Sequence, residues 1–436
     1  MDNERYQIEE ANELIDYIYE SPTAFHAAKN AAAMLERHGF IELYEGEPWK
    51  IEKGGKYFTR KNQSALVAFI PGNGEIEDEG FRIVAAHTDS PGFRIKPNAD
   101  MEVEGSYVKL NTEVYGGPIL NTWMDRPLSL AGRVVLRGKD PFNPDIRFIN
   151  VKRPLMVIPN LAIHMNRDVN AGVKLNRQKH LLPLLALADT FSRDKKYLNG
   201  IISEELSIDS QKILDFDLFL YEFEKGRVVG ANNEFISSGR LDDLSMVYSG
   251  IKAISNSRVK DSTNVMVCFD NEEVGSTTKQ GANSPMLLSV LERIALNLKK
   301  NRDEFYRSIS KSFIISCDLG HALHPNYEEK SDPVNRPVIN RGPIIKISAS
   351  QSYTTDGVSG AVYREICRRA GIPVQIFVNR SDERGGSTIG PISSSHVNMT
   401  SLDMGIAILS MHSVRELGGV RDYLYALKSF REFYNL

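Results

Sequence analysis

Two adjacent glutamates, Glu272 and Glu273, are the residues of this sequence whose types and spacing most directly suggest chemistry. They follow an apolar run at 265–269, so we expect them at the end of a buried strand. Neighbouring carboxylates repel each other, and burying them is unfavourable unless a cation offsets their charge. A bound metal ion would do so, with one glutamate as its ligand and the other free to move protons. Such a division of roles is typical of metal-dependent hydrolases.

Other potential ligands also follow predicted strands. His87 and Asp89 come after an apolar run at 81–86, and Asp318 comes after one at 313–316. In open α/β sheets, sites form beyond the carboxyl ends of the strands. We therefore expect these side chains to lie near the glutamate pair, although they are far apart in the sequence.

Two more candidates are Asp242, just before a predicted helix, and His412, in a mostly apolar segment. Each candidate has a purely structural alternative: a lone histidine is more often a hydrogen-bonding partner, an aspartate before a helix is usually its cap, and the glutamates could open a solvated turn. A metal site is favoured over these structural alternatives because all of the alternatives would have to be true at the same time. The nitrogen and oxygen donors suit zinc, manganese or cobalt.

The motifs of competing chemistries are missing from the sequence. It has no G-x-S-x-G elbow, no phosphate loop of the G-x-x-x-x-G-K-[ST] type and no G-x-G-x-x-G fingerprint. Its three cysteines, Cys268, Cys317 and Cys367, are too few for a disulfide framework and form no C-x-x-C pair. A thiolate zinc site and a cysteine nucleophile are therefore disfavoured.

The composition is that of a globular protein with more than one domain. The 436 residues carry 53 basic and 56 acidic side chains, a net charge of −3, which predicts neither a nucleic-acid nor a membrane partner. The N-terminus is polar, without the apolar stretch of a signal peptide, and no run approaches the roughly 20 apolar residues of a spanning helix. We expect a cytoplasmic protein.

Predicted strands and helices alternate after residue 235, and these are the elements that must position the candidate ligands. This alternation is typical of an α/β domain with an open sheet covered on both faces. Its predicted helices are 243–255, 285–300, 360–370 and 420–435, and its predicted strands are 65–70, 81–86, 265–269, 313–316, 344–347 and 374–378. Short β-type runs dominate between about 100 and 175, which predicts an inserted β-rich module. A helix at 178–191, a surface loop at 192–211 and a strand at 217–223 are predicted to follow.

At the candidate ligands the sequence resembles the M18 family of metallo-aminopeptidases, the aspartyl aminopeptidases and their bacterial relatives. The resemblance runs nearly end to end. Its segments are AHTDSP at 86–91, YGG at 115–117, TWMDR at 122–126, LAIH at 161–164, RLD at 240–242, DNEEVGS at 270–276, SCD at 316–318, STIGP at 387–391 and MHSVRE at 411–416.

The resemblance implies a fold and a site. The fold would be a three-layer, zinc-peptidase-like α/β domain with a central mixed sheet, formed by residues 1–98 and 236–436 and interrupted by a β-rich dimerisation domain at 99–235. The site would hold two divalent metal ions per subunit, with zinc favoured and cobalt or manganese compatible. In the family pattern Asp242 bridges the metals, His87 and Asp318 hold one, Glu273 and His412 hold the other, Glu272 is the general base and Asp89 orients His87. The peptide bond between Asp242 and Asp243 is expected to be cis.

The resemblance also implies a reaction and partners. Two adjacent cations would generate hydroxide from water near neutral pH, and single residues would be removed from peptide N-termini. His164, which its spacing alone suggests is structural, would reach into a neighbouring subunit and help to stabilise the oxyanion. Lys346 and Tyr353 match substrate-contacting positions. Family members assemble from dimers into tetrahedral dodecamers.

Three functions stay open from the sequence. One is an aminopeptidase that prefers Asp or Glu at the N-terminus, for which Lys346 is the candidate partner, or one that prefers neutral or apolar residues. Another is a dinuclear metal-dependent deacylase of N-acyl amino acids. The third is a non-catalytic metal-binding scaffold, against which the retained Glu272 argues.

Overall fold

The computed structural model describes residues 2–188, 197–383 and 385–436. The chain divides into two compact units. The larger comprises Met1–Asp89, Gly226–Met411 and Glu416–Leu436, and the smaller comprises Ser90–Lys225 and His412–Arg415. The sequence predicts the insertion at 99–235. In the structure the smaller unit begins at Ser90, because the strand that starts at Gly92 pairs with strands of that unit.

The larger unit contains a mixed sheet that is nine-stranded within the described residues. Its strands, in spatial order, are β1 (Ile41–Glu42), β2 (Tyr57–Lys61), β3 (Ala65–Ile70), β13 (Thr263–Phe269), β4 (Phe81–His87), β14 (Phe313–Cys317), β18 (Thr400–Gly405), β16 (Ile344–Ile347) and β17 (Gln375–Val378). Strands β13, β4, β14 and β18 are parallel neighbours. Strand β4 comes from the segment before the insertion, and both of its neighbours come from the segment after it.

The other elements of the larger unit are helices and short ladders. The helices are α1 (Asp2–Glu20), α2 (Ala24–Arg37), α3 (Ile76–Glu79), α5 (Leu241–Ser255), α6 (Met286–Asn297), α7 (Arg302–Ser310), α8 (Gly357–Arg369), α9 (Ile389–His396) and α10 (Asp422–Tyr434). The ladders join β11 (Arg227–Val229), β12 (Phe235–Ser238) and β20 (Glu416–Gly419), and β15 (Gly320–His321) with β19 (Ala407–Ile408).

Alternation along the central strands creates two hydrophobic cores, one on each face of the sheet. In β4, Val84 and Ala86 pack into the core formed with α1, α2, α5, α8 and α10. Their neighbours Ile83 and Ala85 pack into the opposite core with α6, α7 and α9. Since both faces of the sheet are covered by helices, the predicted three-layer α/β fold with a central mixed sheet is confirmed.

The smaller unit is built on an antiparallel sheet, six-stranded within the described residues. Its spatial order is β8 (Asn143–Asn150), β7 (Leu128–Asp140), β10 (Ile213–Glu222), β5 (Gly92–Val103), β6 (Tyr107–Tyr115) and β9 (Leu184–Leu187), and it also contains α4 (Tyr197–Leu206). Its buried hydrophobic residues form a cluster of their own.

Two local predictions in the smaller unit are wrong. The segment predicted as a helix at 178–191 contains β9, whose residues pair with β6, so strand pairing overrides a helix-like spacing of leucines. The predicted loop at 192–211 contains α4, which buries Leu198, Ile201 and Ile202. Residues 189–196, which belong to both predictions, lie outside the described residues.

A helix that crosses a lipid bilayer must be both long and apolar. None of the described helices meets both requirements.

Candidate metal centre

The carboxyl ends of three parallel strands bring the candidate ligands of the larger unit together. Strand β4 ends with His87, which lies opposite Phe269, the last residue of β13. The glutamate pair follows β13 three residues later, and Asp318 directly follows β14, which pairs with β4 on its other side. The expectation that these strand ends share one edge of the sheet is met by this register.

Asp89 fixes the backbone of the glutamate pair. Its two carboxylate oxygens accept hydrogen bonds from the N–H groups of Glu272 and Glu273, at 3.0 and 3.1 Å. The turn is tight because Asn271 has a left-handed backbone, with φ of 62°. The Asp89 Oδ1 atom is also 3.4 Å from His87 Nδ1. Asp89 therefore contacts both the histidine and the main chain that carries the two glutamates.

Helix α5 presents two aspartates to the same place. The bond between Asp242 and Asp243 is a cis peptide, as the resemblance led us to expect. His87 Nε2 lies 3.5 Å from Asp242 Oδ1, and the His87 N–H donates to Asp243 Oδ2 at 3.1 Å. The Asp242 N–H donates to the buried carboxylate of Glu416 at 3.1 Å. The sequence-based prediction gives Asp243 no role in the site. Its position directly after Asp242 is the feature of the sequence that could have indicated such a role.

The electrostatics of this cluster are unfavourable without a cation. Burial raises the pKa of Glu272 to about 8, and the nearby carboxylate of Asp318 adds to the rise. Burial and neighbouring carboxylates also raise the pKa of Glu273 and Asp243 well above the usual range. Burial lowers the pKa of His87, but the surrounding carboxylates, Asp242 first, outweigh it and hold that pKa well above its ordinary value.

The donor set fits a divalent metal ion. His87, Asp242 and Asp243 offer ligand atoms that all lie within 4.8 Å of one another, and His87 does the same with Glu272 and Glu273. Within the described residues, Asp243 Oδ1 is buried without a hydrogen-bond partner. Imidazole nitrogen and carboxylate oxygen are ligands that zinc accepts, and a dication would relieve the repulsion between the acids.

Lys346 and Tyr353 lie beside Asp318. Lys346 is 3% exposed, and its Nζ atom is 3.3 Å from Asp318 Oδ1. The same ammonium lies 5.5 Å from the centre of the Tyr353 ring, which is also buried. Burial lowers the pKa of Lys346, but Asp318 and other neighbours reverse this effect, so the net change is a rise. Lys346 is therefore a cation among acids at the edge of the cluster.

His412 and His164 belong to the smaller unit. His412 has a left-handed backbone with φ of 65°, and its Nδ1 atom is 3.1 Å from the carbonyl oxygen of Gly117. His164 lies in an exposed single turn of 3-10 helix, Ile163–Met165.

The chain is similar to known proteins over almost its whole length. A family model described as aminopeptidase I zinc metalloprotease (M18) matches residues 17–434. A protein of Clostridium novyi (strain NT), called probable M18 family aminopeptidase 2, is 59% identical over 430 residues, which cover 99% of each chain. A protein of Clostridium acetobutylicum with the same name is 55% identical over 430 residues, again 99% of each chain.

Solved structures with the same fold also cover almost the whole chain. A chain in the cryo-EM structure of the Ape4 and Nbr1 complex superposes with a TM-score of 0.94 at 38% identity, over 97% of this chain and 85% of that one. The crystal structure of prApe1 gives a TM-score of 0.92 at 28% identity, over 99% of this chain and 95% of that one. The mApe1 dodecamer of S. cerevesiae gives 0.86 at 28% identity, over 99% and 97%.

Proposed function

The chain belongs to the M18 family of zinc metallo-aminopeptidases, hydrolases that act on peptide bonds, and we propose that it removes single N-terminal residues from peptides at a dinuclear metal site. The observation that carries the proposal is the convergence of His87, Asp242 and the glutamate pair at one edge of the sheet. His87 lies 155 positions before Asp242 and 185 positions before Glu272 in the sequence.

Each ligand has a proposed place. Asp242 would bridge two divalent ions, zinc in preference to cobalt or manganese. His87 and Asp318 would hold one ion, and Glu273 and His412 would hold the other. The position of His412 in this set rests on the family pattern. When bound, the ions would polarise the scissile carbonyl and lower the pKa of a water molecule.

Glu272 is the proposed general base. Its carboxylate takes a proton from the attacking water and passes it to the leaving amine. The hydrogen bonds from the N–H groups of Glu272 and Glu273 to Asp89 support this role, because they fix the backbone from which the base projects. Asp89 orients His87 as well, since His87 Nδ1 lies 3.1 Å from the Asp89 main-chain carbonyl oxygen and 3.4 Å from its Oδ1 atom.

We propose a preference for Asp or Glu at the substrate N-terminus, with Lys346 as the cation that selects it and Tyr353 as a further contact. The alternative is a neutral or apolar preference. It draws support from the Lys346 ammonium itself, which is 3.3 Å from Asp318 and so is already engaged by an acid of the protein.

A substrate panel tests both levels of the proposal. Protein with quantified metal is assayed on p-nitroanilides of Asp, Glu, Ala and Leu, and on the N-acetylated form of each. An aminopeptidase hydrolyses only the compounds with a free amine, whereas a deacylase of N-acyl amino acids acts on the acetylated ones. Faster turnover of the Ala and Leu compounds than of the Asp and Glu compounds would contradict the acidic preference.

We also propose that the smaller unit is a dimerisation domain and that dimers assemble into a tetrahedral dodecamer. The turn that carries His164 displays apolar side chains, with Leu161 52%, Ile163 47% and Met165 70% exposed. A relative with the same fold has been solved as a dodecamer. In such an assembly His164 would enter the site of a neighbouring subunit and donate a hydrogen bond to the developing oxyanion.

Mixing two inactive variants tests the role of His164 in trans. His164→Ala and Glu272→Gln are each expected to have little activity. A subunit with His164→Ala keeps its own base and can receive an intact His164 from a Glu272→Gln partner. Random exchange in dimers should therefore restore about a quarter of the wild-type activity. A fully active monomer, or no recovery after subunit exchange, would contradict the role.

A cytoplasmic location of the protein stays a prediction.

A further inference from the structure

A carboxylate outside the proposed metal set is buried next to it, in β18. Asp403 is 0% exposed. Its Oδ1 atom accepts hydrogen bonds from Ser316 Oγ at 2.7 Å and Thr388 Oγ1 at 2.6 Å. Its Oδ2 atom accepts two more from Thr354, one from the N–H at 2.6 Å and one from Oγ1 at 2.7 Å. Each carboxyl oxygen thus has two donors, which is as many as it can accept.

The sheet itself has no need of an acid at this position. An apolar residue would fill an interior strand position without the unfavourable burial of a charge. Within the described residues no ion pair of 4.0 Å or less involves Asp403, so all four of its side-chain hydrogen bonds come from neutral donors. The structure thus keeps a buried acid, and its hydrogen bonds rather than its packing must account for it.

The contacts of Asp403 join three separate parts of the larger unit. Ser316 lies in β14, Thr388 directly precedes α9, and Thr354 lies in the irregular segment at 348–356 between β16 and α8. The main chain adds to the junction, since the Asp403 N–H donates to Thr355 Oγ1 at 2.9 Å.

The start of α9 also approaches Asp403 closely. A methyl group added at Gly390 would lie 2.4 Å from each Asp403 carboxylate oxygen, which is too close for any side chain. As long as the Asp403 carboxylate keeps its position, residue 390 must therefore be a glycine.

Two of the joined parts carry proposed site residues. Ser316 lies two positions before Asp318, and Thr354 directly follows Tyr353. Lys346 lies between the two proposed site residues, Asp318 and Tyr353, since its ammonium is 3.3 Å from Asp318 and 5.5 Å from the centre of the Tyr353 ring. A shift of Thr354 away from β14 would move Tyr353 relative to that ammonium.

We propose that Asp403 is a positioning residue for substrate binding: it fixes the segment that carries Tyr353 against the strand that ends at Asp318. The inference rests on the aminopeptidase function proposed above, because it concerns how the substrate side of that site is held. Asp403 acts through its hydrogen bonds to Thr354, and among the described residues no side-chain hydrogen bond or ion pair joins it to a proposed metal ligand.

The test compares Asp403→Leu and Asp403→Asn with a matched control, Asp422→Leu. Asp422 is also 0% exposed in the larger unit and also fixes a turn, by accepting from the N–H groups of Asn340 and Gly342. In metal-quantified enzyme, Asp403→Leu should raise KM about tenfold or more and change kcat much less, because misplaced substrate contacts weaken binding. Asp422→Leu should leave KM at the wild-type value.

Asp403→Asn should have an intermediate effect. An amide can keep its oxygen towards Thr354, where the N–H is a fixed donor, and turn its NH2 group towards Ser316 and Thr388, whose hydroxyls can reverse to accept. Thr354→Val, which removes one hydroxyl donor, should raise KM in the same direction, and its effect should not add to that of Asp403→Leu.

Hydrogen–deuterium exchange supplies a readout that does not depend on activity. Exchange of the amides at 348–356 should be faster in Asp403→Leu and unchanged in Asp422→Leu. Wild-type KM and wild-type exchange in Asp403→Leu would overturn the proposal, as would equal effects in the control. If Asp403→Leu does not fold, a wild-type KM in both Thr354→Val and Gly390→Ala would overturn it. An inactive wild-type enzyme would refute the proposed function instead, and the exchange experiment would still test the junction.

Discussion

Glu272→Gln is the substitution that most directly separates catalysis from metal binding. Glutamine has the same shape as glutamate, and the backbone at this position is held by hydrogen bonds from the N–H groups of Glu272 and Glu273 to Asp89, at 3.0 and 3.1 Å. The side chain should therefore stay in place, and Glu273 should keep its position. What the variant loses is the ability to accept a proton from water near neutral pH.

The expected loss follows from the usual contribution of a general base. Positioned proton transfer contributes about 10²- to 10⁴-fold in rate, so kcat should fall by that factor, equivalent to about 3–5 kcal/mol in activation free energy. KM should change little, because an uncharged group of equal size remains beside the substrate. The metal content should equal that of the wild type, since Glu272 is not a proposed ligand.

The assay measures kcat, KM and bound metal for the wild type, Glu272→Gln and Glu273→Gln on one unblocked p-nitroanilide. Glu273→Gln is the matched comparison: it makes the same chemical change one residue along, and as a proposed ligand it should lose metal as well as activity. A Glu272→Gln enzyme that retains full metal and a kcat within tenfold of the wild type would refute the assignment of the base. Loss of metal from Glu272→Gln would indicate that Glu272 is the metal ligand and Glu273 the general base.

Three further predictions concern the metal, the pH dependence of stability and a helix cap. Removing divalent ions with a chelator should abolish hydrolysis and lower the melting temperature, because the clustered carboxylates lose their cation, and added zinc should restore both; activity that persists in metal-free protein would contradict the site. Burial raises the pKa of Asp422 from 3.8 to about 7, so the folded state binds a proton that the unfolded state releases, and this stabilisation is present below about pH 4 and lost as the pH rises through about 7. In urea unfolding, the stability of the wild type relative to Asp422→Asn should therefore fall from pH 4 to pH 8 by on the order of 4 kcal/mol, and a difference independent of pH would contradict the shift. Asn301→Ala removes the side-chain half of the capping box that Asn301 and Glu304 form at the start of α7, and it should lower the free energy of unfolding by about 1 kcal/mol in the same assay. Asn297→Ala, which removes a single bond to the Arg293 carbonyl oxygen in the last turn of α6 and no N-cap, should lower it less.

Much of the central sheet could be predicted from the sequence because its strands are continuous apolar runs. The strands predicted at 65–70 and 344–347 match β3 and β16 at both ends, since a buried strand needs apolar residues on both faces. The polar residues that end such runs are also informative, because they are unfavourable in a core. His87, Asp318 and the glutamate pair could therefore be located from the sequence alone.

The elements that were missed carry polar residues in buried strands or depend on distant pairing. The sequence does not predict strand β18, because Asp403 interrupts its apolar pattern, and only the structure gives the donors that satisfy this acid. Strand β5 contains Pro97 and a register shift between Ile95 and Asp100, which hide its alternation. The helix predicted at 178–191 failed because the pairing of β9 with β6 is a long-range interaction that local spacing does not encode.

The placement of β4 between β13 and β14 has a consequence for synthesis of the chain. Strands β3 and β4 are almost entirely buried in the finished sheet, yet both pair with β13, which begins only at Thr263. Residues 88 to 262 must be made first, which takes roughly 10–35 s at a ribosome that adds about 5–20 residues per second. During this interval β4 lacks both of its neighbours and β3 can pair only with β2, while the smaller unit can already pair its own six described strands. The smaller unit should therefore fold before the N-terminal segment that precedes it in synthesis, and this nascent segment is where we expect chaperones to be needed.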